Sequence, residues 1–188
     1  MPNARAARLP AIKEVEQMCD ERDLLAEQAL IELNIPFVRY EHEAARTMED
    51  CESIGKDIGA CHMKNLFLAN RQGTDFYLVL MDGHKSFRTA EVSKKLGVAR
   101  LSFASPEQLY ERLRLEPGAV TALGLLFDEK RIVTVVLDTD VLTYPYVCLH
   151  PCVSTASLAI KPEDLLRFIS HRGNELKTMK IEGKTEEG

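Results

Sequence analysis

The chain has 188 residues, 45% of them hydrophobic and 28% charged, with a formal net charge of -5 at pH 7. That length supports one well-buried core, and the composition excludes wholesale disorder. The acidic balance excludes a global positive field for nucleic acid, although a local basic patch still grips phosphates. No apolar run approaches the roughly 20 residues of a membrane helix, and the N-terminus lacks a signal peptide's apolar core. No membrane association and a cytoplasmic location are therefore expected. The five cysteines are an odd number in apolar surroundings, which favours reduced thiols over a disulfide framework.

Residues 1–10 are basic and poor in apolar side chains, a loose arm, and the arm with the start of the first helix occupies 1–19. From Lys13 to Leu33 apolar residues recur at helical spacing, and Asn34 with Pro36 stops the helix. Phe37 to His42 alternates like a strand. Thr47 then opens a helix carried from Met48 to Ile58 and ended by Gly59. The run Leu66 to Ala69 predicts a strand over 65–70. Arg71-Gln72-Gly73 turns it into a second strand over 76–81, closing a hairpin at Asp82-Gly83.

The segment from Phe87 to Gly97 reads as a helix closed by its glycine. Ser105, Pro106 and Gln108 form the signature of a capping box with proline in the first turn, predicting a helix over 106–113. Leu123 to Asp138 reads as another hairpin turning through Asp128 to Lys130, with a strand over 131–138. Tyr146 to Ile160 is largely apolar and β-branched, and 162–171 is a terminal helix. Residues 173–188 read as a charged tail whose last dozen residues fray. Hairpins mixed with helices predict a single-domain α/β fold, a mixed and partly barrel-like sheet with packed helices.

Three stretches carry more chemistry than structure requires. Lys64 and Asn65 sit at the mouth of an apolar strand, either as a snorkelling lysine and a turn residue or as a cation held at a cleft for a phosphate or oxyanion. In 116–125, Pro117-Gly118 and Gly124 bracket Ala119, Thr121 and Ala122; a turn explains the Pro-Gly, while small side chains let a ligand approach backbone N–H groups. In 148–156, an extended backbone would put Cys148, His150 and Cys152 on one face. That is either a set of zinc ligands completed by Cys61 or His62, or buried thiols around a satisfied histidine.

In this order the stretches Met63–Leu68, Ser102–Leu109, Gly118–Asp128, Val135–Asp138 and His150–Ile160 resemble the YbaK/prolyl-tRNA synthetase editing-domain superfamily, and most of all its free-standing prolyl-tRNA deacylases. The resemblance covers roughly residues 20–172. It implies an α/β editing fold, hydrolysis of mischarged aminoacyl-tRNA (typically alanyl-tRNA for proline), and no metal or other cofactor. It implies Lys64, Gly118 and His150 as catalytic, and Asn65, Ala119, Thr121, Ala122, Gly124 and Ser154 as substrate-binding. The partner is then a tRNA acceptor end carrying a small amino acid, met by Arg88, Lys94, Lys95 and Arg100 or with those cations as a solvated face. The protein would be a monomer or a homodimer.

Two motifs depart from the family pattern. Ala122 follows Thr121 where proline is usual, and Cys152 and Ser154 stand where asparagines are usual. Both bear on the amino acid removed. A regulatory module that binds aminoacyl-tRNA or an amino acid without cleaving it is the alternative from another class.

Overall fold

A computed structural model of the chain describes residues 21–43 and 54–183. The first helix, α1, runs over Glu21–Glu32. Asn34 takes a left-handed φ of 52° just beyond it, and Ile35 N–H reaches the Leu30 carbonyl at 2.9 Å, which closes the helix as its sequence predicts. Strand β1, Val38–Glu41, follows. Its Arg39 fastens the two together, donating to both Asp23 oxygens at 2.7 and 2.9 Å and to Glu27 at 2.8 Å. The helix expected from Met48 to Ile58 lies mostly outside the described residues. Its last turn, Lys56–Ile58, is a 3-10 turn between Gly55 and Gly59.

Strand β2, Ala60–Ala69, organises the sheet. From Met63 onward it pairs antiparallel with β3, Phe76–Asp82, giving the expected hairpin. Its first residues, Ala60 to His62, pair in parallel with β6, Tyr146–Leu149. Strand β7, Ala156–Ile160, lies antiparallel to β6 and carries β1 on its other side. On the far side, β5, Val133–Asp138, is parallel to β3. With β8, Leu176–Met179, at the far edge, the order is β1-β7-β6-β2-β3-β5-β8, and the two-residue β4, Ser102–Phe103, is added to β2 at Leu68 and Ala69. Helices α2, Thr89–Leu96, α3, Pro106–Leu113, and α4, Pro162–Arg172, connect these strands. The capping box of α3 forms as expected: Ser105 Oγ accepts from Gln108 N–H and Gln108 Oε1 from Ser105 N–H.

Two expectations fail. No hairpin joins Leu123 to Asp138: Ala122–Phe127 is a 3-10 helix, and both neighbours of β5 run parallel to it. The run Leu-Gly-Leu-Leu-Phe lacks strand alternation, and Asp128 holds the turn by accepting from Ile132 and Val133 N–H at 3.2 and 2.9 Å. Nor do the last dozen residues, 177–188, all fray. Leu176–Met179 forms β8, parallel to β5, and Ile181 is fully buried beyond it. An edge strand needs one wetted side, so its lysine and threonine do not argue against pairing.

The pleat of β2 sorts the interior. Cys61, Met63, Phe67 and Ala69 face the main core. The alternate residues face the other way: Ala60 packs in a small cluster with Tyr40, Ile54 and Cys148, and Leu66 and Leu68 in a second with Val79, Met81 and Val92. Lys64 sits between these two clusters on that second face.

Candidate active site at the split in the sheet

The parallel pairing of β2 with β6 ends at His62 and Cys148. On the same edge, β4 pairs with Leu68 and Ala69, and Ala104 N–H donates to Phe67 O. Among the described residues, positions 63–66 of β2 therefore have no partner strand on this side. Diverging strands are where α/β sheets open a crevice for a ligand. Lys64 lies two residues beyond His62, and His150 two residues beyond Cys148. By the period of two they are the next same-face positions on the diverging strands.

His150 Nδ1 lies 3.0 Å from the Ala156 carbonyl oxygen. A carbonyl only accepts, so Nδ1 carries the proton and the neutral ring keeps its lone pair on Nε2. Burial pulls the His150 pKa down; the Ala156 carbonyl pushes back, and nearby His42 and His62 lower it further. His42 stands edge-on to it, with ring centroids 6.2 Å apart. That ring is fixed by Ser157 Oγ at 2.9 Å from Nε2 and by Glu43 O at 2.7 Å from Nδ1. His62 Nε2 meets Ile54 O at 2.5 Å.

Lys64 Nζ donates to the Lys85 carbonyl at 2.7 Å. One contact of this kind orients the ammonium and leaves hydrogens for a substrate oxygen. Lys85 is itself clamped. Its Nζ donates to Asp138 at 2.7 Å, Asp140 at 2.6 Å and the Ile181 carbonyl at 2.7 Å. Burial opposes the Lys85 charge, but the bonds to Asp138 and Asp140 outweigh it and raise the pKa. The clamp ties the ends of β3 and β5 to the C-terminal segment, and the Lys85 carbonyl is carried on it.

Asn65 pairs with Leu80 and faces the main core, opposite to Lys64. Its Nδ2 donates to Met63 O at 3.1 Å, and its buried Oδ1 has no partner among the described residues. The 118–124 loop also turns its small residues to the core. Ala119 is nearly buried, while Thr121 and Ala122 have no exposed surface. Gly124 is enclosed: a Cβ there would meet Leu115 Cδ1 at 2.5 Å, so its missing side chain serves packing. The N–H groups of Ala119, Leu123 and Gly124 are taken by Glu116 O, Thr121 Oγ1 and Thr121 O. Gly118, with φ 93° and open space among the described residues where a Cβ would sit, is exposed, and Val120 is half-buried.

Lys64 and His150 thus share one face of the split. Asn65 and the buried part of the loop lie on the other. A cavity of about 710 Å³ between α1, α3 and the 3-10 helix is lined by Arg22, Leu25, Tyr110, Arg114, Phe127 and Ile132, and by none of Lys64, Gly118 or His150.

Residues 42–168 match the aminoacyl-tRNA editing domain family. The chain belongs to that family. It is 34% identical over 163 residues, 85% of this chain and 99% of the relative, to the prolyl-tRNA editing protein ProX of Acetoanaerobium sticklandii. It is also 34% identical to prolyl-tRNA synthetase associated domain-containing protein 1 of Danio rerio, covering 76% of this chain and 78% of that one. A crystal structure described as a candidate trans-editing enzyme for prolyl tRNA synthetase shares the fold, with a TM-score of 0.67 at 22% identity over 87% of this chain and 99% of that one. Membership carries the general activity of the family, hydrolysis of mischarged aminoacyl-tRNA.

In this editing domain the one-face set of Cys148, His150 and Cys152 does not form. Cys148 packs in the outer cluster, while Cys152, turned by a φ of 63°, is buried in the main core with Cys61. Pro151 ends the strand between them, which breaks the alternation on which the set rested. The Cys61 thiol, pushed up to about 12 by burial and by Asp82, is no nucleophile at neutral pH. Half-buried Ser154 sits in the same turn.

Arg88, Lys94 and Arg100 are exposed around α2, whereas Lys95 is engaged with Glu91 at 3.2 Å and with the Lys180 carbonyl. The sequence reading missed His42 and Lys85, and named His62 only as an alternative zinc ligand. His62 had a signal: it precedes Lys64 by two residues on a strand, and so shares its face. Lys85, whose partners are 53 and 55 residues away, had none.

Proposed function

We propose that the chain is a trans-editing deacylase that hydrolyses the ester linking a small, wrongly attached amino acid to tRNA, alanyl-tRNA for proline above all. What supports this reading is that Lys64 and His150 each stand two residues past the point where the β2–β6 pairing ends at His62 and Cys148, inside a domain of the editing family. The names of the relatives, which concern prolyl-tRNA, support the choice of tRNA.

An aminoacyl ester is already activated, so the protein's task is to position it and a water molecule. In our account the Lys64 ammonium, aimed by the Lys85 carbonyl, holds the terminal adenosine's phosphate or the ester oxygen. His150 Nε2 accepts a hydrogen bond from the attacking water or from the free ribose hydroxyl. The water oxygen bonds to the ester carbon, the carbon–ribose oxygen bond breaks, and the proton passes to the departing ribose oxygen. In this account the backbone N–H groups of exposed Gly118 and half-buried Val120 serve the oxyanion, a contribution of about 3 to 4 kcal/mol per donor.

The cations Arg88, Lys94 and Arg100 supply a local positive patch for acceptor-stem phosphates on a protein that is acidic overall. We place the activity in the cytoplasm, where tRNA is charged. Release of amino acid from a panel of alanyl-, cysteinyl-, seryl- and prolyl-tRNA tests the proposal. Hydrolysis of alanyl-tRNA with correctly charged prolyl-tRNA spared supports it. Binding to the panel without hydrolysis would replace it with a sensing module.

A further inference from the structure

Phe103 is 60% exposed, the most open of the large apolar side chains among the described residues. It stands on β4, a two-residue edge strand, where an exposed aromatic is a liability unless something covers it. Phe87 holds the ring from the side, with centroids 5.9 Å apart and the planes at 64°. The pair also lies on the face that matters. Phe103 is opposite Leu68, whose side chain packs on the same face of β2 as Lys64, and Phe87 packs against that same cluster. Phe87 follows by two residues Lys85, whose carbonyl receives the Lys64 amine. Along β2 the step from Lys64 to Leu68 is ~13 Å, at ~3.3 Å per residue.

The surroundings say what would cover the ring. Arg88 is the next residue after Phe87, Arg100 lies just ahead of β4, and both are exposed. Arg88 has only a loose 3.7 Å pairing with Glu91. An exposed aromatic ring flanked by arginines on an acidic protein complements an unpaired base with its phosphate, because every base offers a flat π-face and every linkage a negative charge. An apolar protein partner would not require the flanking cations.

We propose that Phe103, braced by Phe87, is the stacking platform for an unpaired base of the single-stranded 3′ end of tRNA, with Arg88 and Arg100 on the adjoining phosphates. This rests on the deacylase reading above and assigns a substrate contact that the reading lacked. The platform and Lys64 would grip the strand at two points along β2, placing the ester at the split in the sheet.

The chain contains no tryptophan, so Phe103→Trp introduces a single fluorophore at the platform. Titrating this variant with an uncharged RNA oligonucleotide ending in CCA is expected to quench the indole emission saturably and less strongly as salt rises. Phe103→Ala is expected to raise KM for aminoacyl-tRNA roughly 5- to 100-fold while changing kcat much less. Leu24→Ser, at an exposed position on α1, is the control and should leave KM unchanged.

An indole unaffected by RNA, or a Phe103→Ala enzyme with wild-type KM, would overturn the platform and leave the deacylase standing. Emission that shifts with protein concentration alone, together with a dimer in sedimentation that Phe103→Ala abolishes, would overturn it in favour of a second copy on this face. If the wild-type protein hydrolyses no aminoacyl-tRNA, the deacylase reading falls. The RNA quench then still decides whether the ring binds nucleic acid.

Discussion

Lys64 reaches the buried carboxylate of Asp138 and the half-buried one of Asp140 at one remove: its Nζ donates to the Lys85 carbonyl at 2.7 Å, and the Lys85 ammonium is held by both acids. The side chain best placed for chemistry therefore depends on an ion cluster that connects β3, β5 and the C-terminal segment. Removing a partner from such a cluster leaves a charge stranded. Lys85→Met should cost about 3 to 5 kcal/mol, because Asp138 has no exposed surface on which to recover its hydration. Asp140 is partly open to solvent, so Asp140→Asn should cost much less. Urea denaturation of the two variants checks the order, and equal losses would contradict it.

The state of His150 sets a pH dependence. Its pKa is held below the ordinary 6.5, so between that value and the folded one the unfolded chain binds more protons than the native one. Stability contributed by the neutral ring is complete above about 6.5 and falls as the pH drops toward the folded value. Activity that needs the Nε2 lone pair should be lost on the same acid side. Titration of the His150 ring by NMR beside a pH–rate profile tests both. A ring titrating above 6.5 would contradict the assignment.

The two loop glycines should behave differently. Gly124→Ala places a methyl group 2.5 Å from Leu115 Cδ1, an overpacking that costs about 1 to 3 kcal/mol. Gly118→Ala meets no atom but must hold φ at 93°, a strain of about 1 to 3 kcal/mol relieved only by moving the loop. The first variant should lose denaturant resistance and keep its kcat once folded. The second should lose kcat, since our account gives its amide to the oxyanion. Equal kcat losses would remove the distinction between a packing and a functional glycine.

Much of this fold was legible because local rules and global structure agreed. The Ser105–Gln108 capping box, Gly97 at the end of α2 and the turn between β2 and β3 all depend on neighbours in sequence. What escaped was long-range. Nothing local announces that Leu176–Met179 pairs beside β5, or that Leu123 to Phe127 coils instead of extending. In the site, Lys64 and His150 could be named from the sequence. That Asn65 faces the opposite side from Lys64 follows from strand alternation and was available too. The Lys85 clamp was not, because it joins residues that only the folded sheet brings together.

Removing residues 176–188 offers a check on the C-terminal strand. A frayed tail would leave stability unchanged. With β8 paired to β5 and Ile181 fully buried, the truncated chain should melt well below the intact one and lose the carbonyl that Lys85 grips. An unchanged melting temperature would show that the strand contributes nothing.

The most direct test is single-turnover hydrolysis of alanyl-tRNA by Lys64→Ala, read beside a thermal melt of the same protein. A charge-assisted contact in a partly desolvated cleft contributes about 1.5 to 3 kcal/mol, so the rate should fall on the order of 10- to 100-fold or more. The melt should barely move, since Lys64 is only half buried and its one hydrogen bond among the described residues goes to a carbonyl. A folded Lys64→Ala protein that cleaves at the wild-type rate would contradict the account.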